Sequence, residues 1–359
     1  MPGLWSQLPQ ITDYPAHLDA AWQQHLAPRE PNAPTVISTF AGAGGSSLGY
    51  SMAGYRELLA VEWDNNAVET FKLNFPGVPV YHGDIAKLSV EQCMALAGLT
   101  EPGQLDVFDG SPPCQGFSTA GKRDFNDDRN QLFREYVRLL RGLQPKVFVM
   151  ENVSGMVKGK MKLIFADIMR ELKASGYVVS ARLLNAMWFG VPQSRERMIF
   201  IGVREDLGIV PSHPKAESRP VVVKQALEGI ENLAGPMPSP GTKIAECCQN
   251  MRQGTTASDF YRKNWGFNLY RLDWNKPSPT FTKGGGACGL IHPVLPRKCI
   301  KAEYQAVMSF ARQYRFVGAD DNARERLGNS VPPLFMRAIA QHIRQLIDMT
   351  GGVPELVEQ

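Results

Sequence analysis

A cysteine held behind two prolines is the residue best suited to chemistry in this chain. It sits in Asp109-Gly110-Ser111-Pro112-Pro113-Cys114-Gln115-Gly116-Phe117-Ser118, just after a short apolar run. The prolines stiffen the approach and Gly116 lets the backbone turn, a geometry that presents the thiol to a pocket. A thiolate is a strong nucleophile and later leaves readily, which suits covalent catalysis. The next apolar run ends in Glu151-Asn152-Val153, so a carboxyl and an amide are expected one strand away from Cys114. Further on, Gln193-Ser194-Arg195-Glu196-Arg197 leads into another strand. The period-two rule puts Arg195 and Arg197 on one side, where paired guanidinium groups can grip a carboxylate or phosphate.

A second group of residues points to a nucleoside. The turn Phe40-Ala41-Gly42-Ala43-Gly44-Gly45 allows close backbone approach by a ligand. Ser47 stands where a dinucleotide fingerprint has its third glycine, which argues against a nicotinamide enzyme. Glu62 and Asp84 follow at the ends of the next two apolar runs, where carboxylates can accept hydrogen bonds from ribose hydroxyls.

These residues need a frame that brings strand ends together. Short apolar runs at 35–40, 58–61, 78–81, 105–108, 147–150, 177–184 and 198–203 alternate with amphipathic stretches such as 131–143 and 161–174. That alternation predicts an α/β fold with a parallel sheet and helices on both faces. The alternation stops after Arg204, and helical patterns return at 301–313 and 333–349. The expected division is an N-terminal extension over 1–34, a catalytic domain over 35–204 plus 322–359, and a smaller irregular domain over 205–321.

Composition narrows the function classes. No apolar run approaches the roughly 20 residues of a membrane span, and the start lacks signal-peptide character, so a cytoplasmic protein is expected. The six cysteines include no CxxC pair and no histidine at zinc-ligand spacing, so no metal is expected. Residues 252–301 hold nine Lys or Arg against two acids, although the whole chain carries only +4. This local surplus predicts a polyanionic partner.

Taken in order, the motifs resemble those of the cytosine-5 DNA methyltransferases. They are Phe40-x-Gly42-x-Gly44, Pro112-Pro113-Cys114-Gln115, Glu151-Asn152-Val153, Gln193-x-Arg195-x-Arg197 and Gly328-Asn329-Ser330-Val331. The resemblance implies a class I methyltransferase fold with a seven-stranded, mostly parallel sheet and a target-recognition domain over 205–321. It implies S-adenosylmethionine as methyl donor, bound by Phe40, Gly42, Gly44, Glu62, Trp63, Asp84, Ile85, Pro112, Asn329 and Val331. Cys114 would be the nucleophile and Glu151, with Asn152 beside it, the acid on the base, which calls for a carboxyl of raised pKa. Arg195 and Arg197 would support the loop Phe117–Asn130 when it closes over the base. The partner would be double-stranded DNA, met by Gln115, Ser118, Lys122, Arg123, Arg262, Lys263, Arg271 and Lys283.

A monomer, nucleoid-associated and paired with a restriction endonuclease of the same site, is the expected setting. A tRNA cytosine-5 methyltransferase and an inactive DNA-binding scaffold are the alternatives. Gly116-Phe117-Ser118 argues against the first, and intact Cys114 and Glu151 against the second. Relatives usually carry a Gln-Gly-Phe-Pro-like stretch where this chain has Val307-Met308-Ser309-Phe310.

Overall fold

All seven apolar runs become strands of one sheet. The computed structural model describes residues 7–113, 131–157, 161–262, 268–281 and 288–350. Cys114, Gln115, Ser118, Lys122, Arg123, Lys263 and Lys283 therefore lie outside the described residues.

In chain order the elements begin with α1 (Tyr14–Leu26), β1 (Thr35–Thr39), α2 (Gly45–Met52), β2 (Arg56–Glu62), α3 (Asn65–Asn74) and β3 (Val80–His82). Next come α4 (Val90–Ala97), β4 (Val107–Gly110), α5 (Gln131–Leu143), β5 (Val147–Val153), α6 (Met161–Lys173) and β6 (Tyr177–Asn185). They are followed by β7 (Gln193–Ser194), β8 (Glu196–Arg204), α7 (Val223–Ala226), α8 (Lys243–Asn250), α9 (Ala257–Tyr261) and β9 (Leu269–Arg271). The last are β10 (Ser278–Pro279), β11 (Gly289–Ile291), α10 (Lys301–Val307), α11 (Asp320–Asn329) and α12 (Pro333–Thr350).

The large sheet has the order β3-β2-β1-β4-β5-β8-β6. The pairings among β3, β2, β1, β4 and β5 are parallel, and β8 runs antiparallel to β5. Such a sheet is buried on both faces, which is why β1 (Thr-Val-Ile-Ser-Thr) is buried at every position. On one face Ile37, Leu59, Val61, Phe108, Phe148, Met150 and Phe200 form a single apolar core with side chains of α4, α5 and α6. Tyr136 of α5 stacks on Phe108 and donates its hydroxyl to the Val149 carbonyl at 3.0 Å.

Two compact units partition the chain. The first comprises Ala27–Leu184, Glu196–Lys215 and Met336–Gln359, and contains the large sheet except for the last residue of β6. The second comprises Met1–Leu26, Asn185–Arg195 and Ala216–Phe335. This partition differs from the expected one at both ends and in the middle, where 185–195 fall in the second unit and 205–215 in the first. Within 1–34, α1 buries Tyr14, Leu18 and Ala21 in the second unit, and Trp22 meets the edge of Tyr314. Residues 322–335 also belong to the second unit.

The second unit has its own small core of Cys247, Cys248, Met251, Ala257, Leu269 and Ile291. Arg297 and Glu303 are buried there as a bidentate ion pair at 2.7 and 3.0 Å. Ser309, in the stretch that departs from the Gln-Gly-Phe-Pro pattern, has φ 59, a left-handed conformation rare for a residue with a side chain. Its hydroxyl accepts the Leu334 N–H at 3.2 Å, so it satisfies one of the free donors that begin α12.

The packing of β5 on β8 gives a direct test. Gly202 pairs with Phe148, and a Cβ at residue 202 would lie 2.0 Å from Phe148 Cε1. Gly202→Ala should lower stability by about 1–3 kcal/mol through overpacking, read as a lower urea midpoint with unchanged slope.

Candidate active site

The first unit gathers most of the predicted residues at the carboxyl edge of its sheet. β1 ends at Thr39 and the chain turns at once, with Phe40 at φ 54. A bulky residue in the left-handed region is strained, and such strain persists only where the surroundings fix it. Gly42 and Gly44, at φ 55 and 82, complete the turn into α2.

Glu62 locks this turn from the end of β2. One carboxylate oxygen accepts the Gly42 N–H at 2.7 Å, and the other accepts the Trp63 and Asp64 N–H groups, each at 2.9 Å. The expectation had Glu62 receiving ribose hydroxyls. The structure gives it a prior task, with one acceptor direction left on Oε2.

Asp84, exposed after β3, caps the turn at Ile85–Lys87 through the Ala86 N–H at 3.0 Å and keeps its other oxygen available. A cavity of about 240 Å³ opens among these groups. It is lined by Phe40, Val61, Glu62, Trp63, Gly83, Asp84, Ile85, Ala86, Pro113, Gln131 and Leu132. Trp63 is 77% exposed and offers an aromatic face. Gln131 and Leu132 begin α5, and nothing in their types or spacing marked them beforehand.

The approach to Cys114 is held from the neighbouring strand. Asn152 Nδ2 donates to the Pro112 carbonyl at 3.0 Å, while its Oδ1 accepts the Val153 N–H at 2.8 Å. Pro112 is buried and Pro113 reaches the cavity. Glu151 is 8% exposed, and its Oε1 lies 2.6 Å from Arg197 Nε. The antiparallel register makes this pair. Val153 faces Arg197 and Glu151 faces Ile199, so Glu151 and Arg197 are diagonal neighbours on one face.

Arg195 has a different environment from Arg197, contrary to the period-two expectation, because the residue falls between the end of β7 and the start of β8. In the second unit its guanidinium, 1% exposed, donates to the Gly328 carbonyl at 2.9 Å and the Ser330 carbonyl at 3.0 Å. Phe281 O and Gln193 Oε1 lie at 3.4 Å. The cation thus sits at the carbonyl end of α11, where a positive charge is favoured, and fixes the backbone on both sides of Asn329. Asn329 is exposed and Val331 buried.

Of the cations expected on DNA, Arg262 is exposed in a left-handed C-cap after α9. Arg271 is corrected: it is buried, and its guanidinium donates to the Cys248 carbonyl. Burial lowers its pKa, as it does that of Lys298, whose ammonium reaches the Cys288 carbonyl at 3.2 Å. Among the described residues no cluster of His, Cys, Asp or Glu could hold a metal ion, and no helix is long and apolar enough to cross a membrane.

Comparison with known proteins places these residues in context. The model of the C-5 cytosine-specific DNA methylases matches residues 34–345. Type II methyltransferase M1.HphI of Haemophilus parahaemolyticus is 34% identical over 327 residues, 87% of each chain. Type II methyltransferase M.DdeI of Desulfomicrobium norvegicum is 32% identical over 381 residues, covering 86% of this chain and 88% of its own. A crystal structure of an Escherichia coli prophage protein assigned as a DNA modification methyltransferase shares 26% identity at a TM-score of 0.74, covering 88% of this chain and all of that one. Spodoptera frugiperda DNMT2, at 21% identity and a TM-score of 0.61 over 89% of this chain, shares the fold.

The anchoring of the glycine turn is testable without substrate. Glu62→Ala strips three main-chain N–H groups of their acceptor and should cost about 1–3 kcal/mol in urea unfolding. Glu62→Gln should lose nearly as much, because its NH2 group would face the N–H of either Gly42 or the Trp63–Asp64 pair.

Proposed function

This chain belongs to the C-5 cytosine-specific DNA methylase family, and from that premise we propose which of its residues carry the reaction. It is a DNA cytosine-5 methyltransferase with relatives of Type II. The proposed cofactor is S-adenosylmethionine, which supplies an electrophilic methyl group when bound. The cavity of the first unit suits a nucleoside of this kind, since Glu62 and Asp84 retain acceptor directions and Phe40 and Trp63 provide aromatic surface. Asn329 and Val331 are assigned to the cofactor by the resemblance alone.

Cys114 is the proposed nucleophile. Its thiolate would add to carbon 6 of cytosine and push an electron pair onto the ring, making carbon 5 nucleophilic toward a bound methyl donor, whose sulfonium sulfur would leave as a neutral thioether. Loss of the carbon-5 proton then re-forms the ring double bond and expels the thiolate. Carbon 5 needs this help because the aromatic ring is a poor nucleophile. Glu151 is proposed to donate a proton to ring nitrogen 3, with Arg197 holding its carboxyl in place. Asn152 positions the loop through Pro112. Both cytosine faces are hidden in a duplex, so the base must be flipped out.

Arg262 and Lys263 are proposed phosphate contacts, with Gln115, Ser118, Lys122, Arg123 and Lys283 facing DNA near the flipped base. A cognate endonuclease cutting the same sequence is the partner this setting proposes.

One observation carries the reading: the same strand end that presents Glu151 to Arg197 also clamps the Pro112 carbonyl that precedes Cys114. Duplexes carrying 5-fluorocytosine at the recognition site should trap a covalent complex in the presence of cofactor, since fluorine blocks the final elimination. Cys114→Ser should give none and should lose turnover. Trapping that survives this substitution would rule out Cys114 as the nucleophile. Asn152→Ala should trap the same complex about 100-fold more slowly, as expected when a reacting group is misplaced by about an ångström.

A further inference from the structure

Helix α2, which follows the glycine turn, is buried along its whole length although four of its eight residues, Ser46, Ser47, Tyr50 and Ser51, carry hydroxyls. Two of these hydroxyls meet carboxyl groups of the sheet. Tyr50 donates to Asp109 Oδ1 at 3.2 Å. Ser47 donates to Glu57 Oε1 at 3.0 Å. Asp109 is 2% exposed, and Glu57 Oε2 has no contact with solvent. A register shift in β2 explains the meeting: Val36 pairs with Glu57 but Ile37 with Leu59, so Glu57 leaves the core face of Leu59 and Val61 and joins Asp109, which pairs with Ser38, on the opposite face.

The neighbours that bear on Asp109 are acids and phenols: Glu57 from β2, Glu151 from β5, Tyr50 from α2 and Tyr136 from α5. Tyr55, between α2 and β2, bears in turn on Tyr50. Two bare carboxylates in such a place would repel one another without water to screen them. Hydroxyl groups can satisfy a shared arrangement in which at least one carboxyl is neutral.

This network is joined through the chain to residues on both walls of the cavity. α2 begins at Gly45, directly after the turn that carries Phe40 and Gly42, and Asp109 lies four residues before Pro113 on β4. We propose that Asp109 and Glu57 are positioning residues for the cofactor, holding the Phe40–Gly44 turn against the Pro112–Pro113 approach only while Glu57 is neutral. The inference rests on the proposed function, because that reading places the methyl donor in this cavity. Burial raises the Glu57 pKa to about 7 and that of Asp109 well above its ordinary range. The protonated pair therefore prevails at lower pH, and its hold weakens as pH rises through the Glu57 value.

The test measures S-adenosylhomocysteine affinity by calorimetry from pH 6 to 9 on the full chain, with thermal melts to check folding. The wild type should weaken by about tenfold across this range, corresponding to about one unit of pKa difference between bound and free protein. Glu57→Gln, which mimics the neutral acid, should keep its pH 6 affinity at pH 9. Asp109→Asn leaves Glu57 to titrate and should keep a pH-dependent affinity. A Glu57→Gln profile parallel to the wild type would overturn the proposal, even if the melting temperatures differ. A wild type that binds no S-adenosylhomocysteine at any pH would overturn the functional reading instead.

Discussion

The register in which β1, β4 and β5 lie side by side governs the arrangement at the candidate site. Thr39 aligns with Gly110, and Gly110 with Met150, so Phe40 and Ser111 leave their strands level with Glu151 on β5. Parallel strands send their carboxyl ends to the same side, where loops can converge on a ligand. The antiparallel β8 then brings Arg197 back opposite Val153, within reach of Glu151. A one-residue slip of β8 would turn Arg197 to the other face and leave a buried carboxylate without its partner.

Small residues let this register close. A Cβ on Gly110 would fall 2.4 Å from Thr39 Oγ1 and 2.7 Å from Tyr136 Cε2, so β4 is tightly flanked just before the prolines. Thr39 uses the space to donate to the Asp109 carbonyl at 3.0 Å. The two faces of the sheet are held by different means. Apolar packing of α4, α5 and α6 dominates one, and α2 meets the other through hydroxyl-to-carboxyl bonds. Hydrogen bonds are directional where apolar contact is not, so they fix the orientation of the turn that α2 carries.

Much of this was legible in the sequence, because strand periodicity and turn chemistry are local. The seven apolar runs, α5, α6 and the grouping of Phe40, Glu62, Asp84, Pro112, Glu151 and Asn152 at one sheet edge follow from apolar runs bounded by turn residues, the amphipathic stretches between them and chain order. What escaped depends on contacts distant in sequence. α1 was hidden by the Pro-rich, polar composition around it, and only the burial of Tyr14 and Leu18 reveals its place. α11 escaped because it is strongly polar, with just Ala323, Arg324, Leu327 and Gly328 buried. Arg195 and Arg197 look alike in sequence. The break between β7 and β8 gives one to helix-end carbonyls and the other to Glu151. Asp109 and Glu57 read as ordinary strand acids, because the register shift that turns Glu57 beneath a helix rich in hydroxyls has no signature in the sequence.

The basic segment shows why a charge sum is a weak guide to a binding surface. Of its nine cations, Arg271 and Arg297 are buried, and Lys298 turns inward to a main-chain carbonyl. Arg297 is matched by Glu303, just beyond the segment, so its charge is balanced by a residue that the sum leaves out. The neighbouring aromatics behave similarly, with Phe281 packed against Tyr304 and Trp274 against His292. Guanidinium groups serve the second unit by joining carbonyls that an irregular chain leaves without helix or strand partners, as Arg195 does at α11 and Arg271 at Cys248. Part of the positive surplus is therefore structural. The described cations that face solvent are fewer, among them Arg252, Arg262 and Lys276, and they are the ones from which a polyanion could displace counterions.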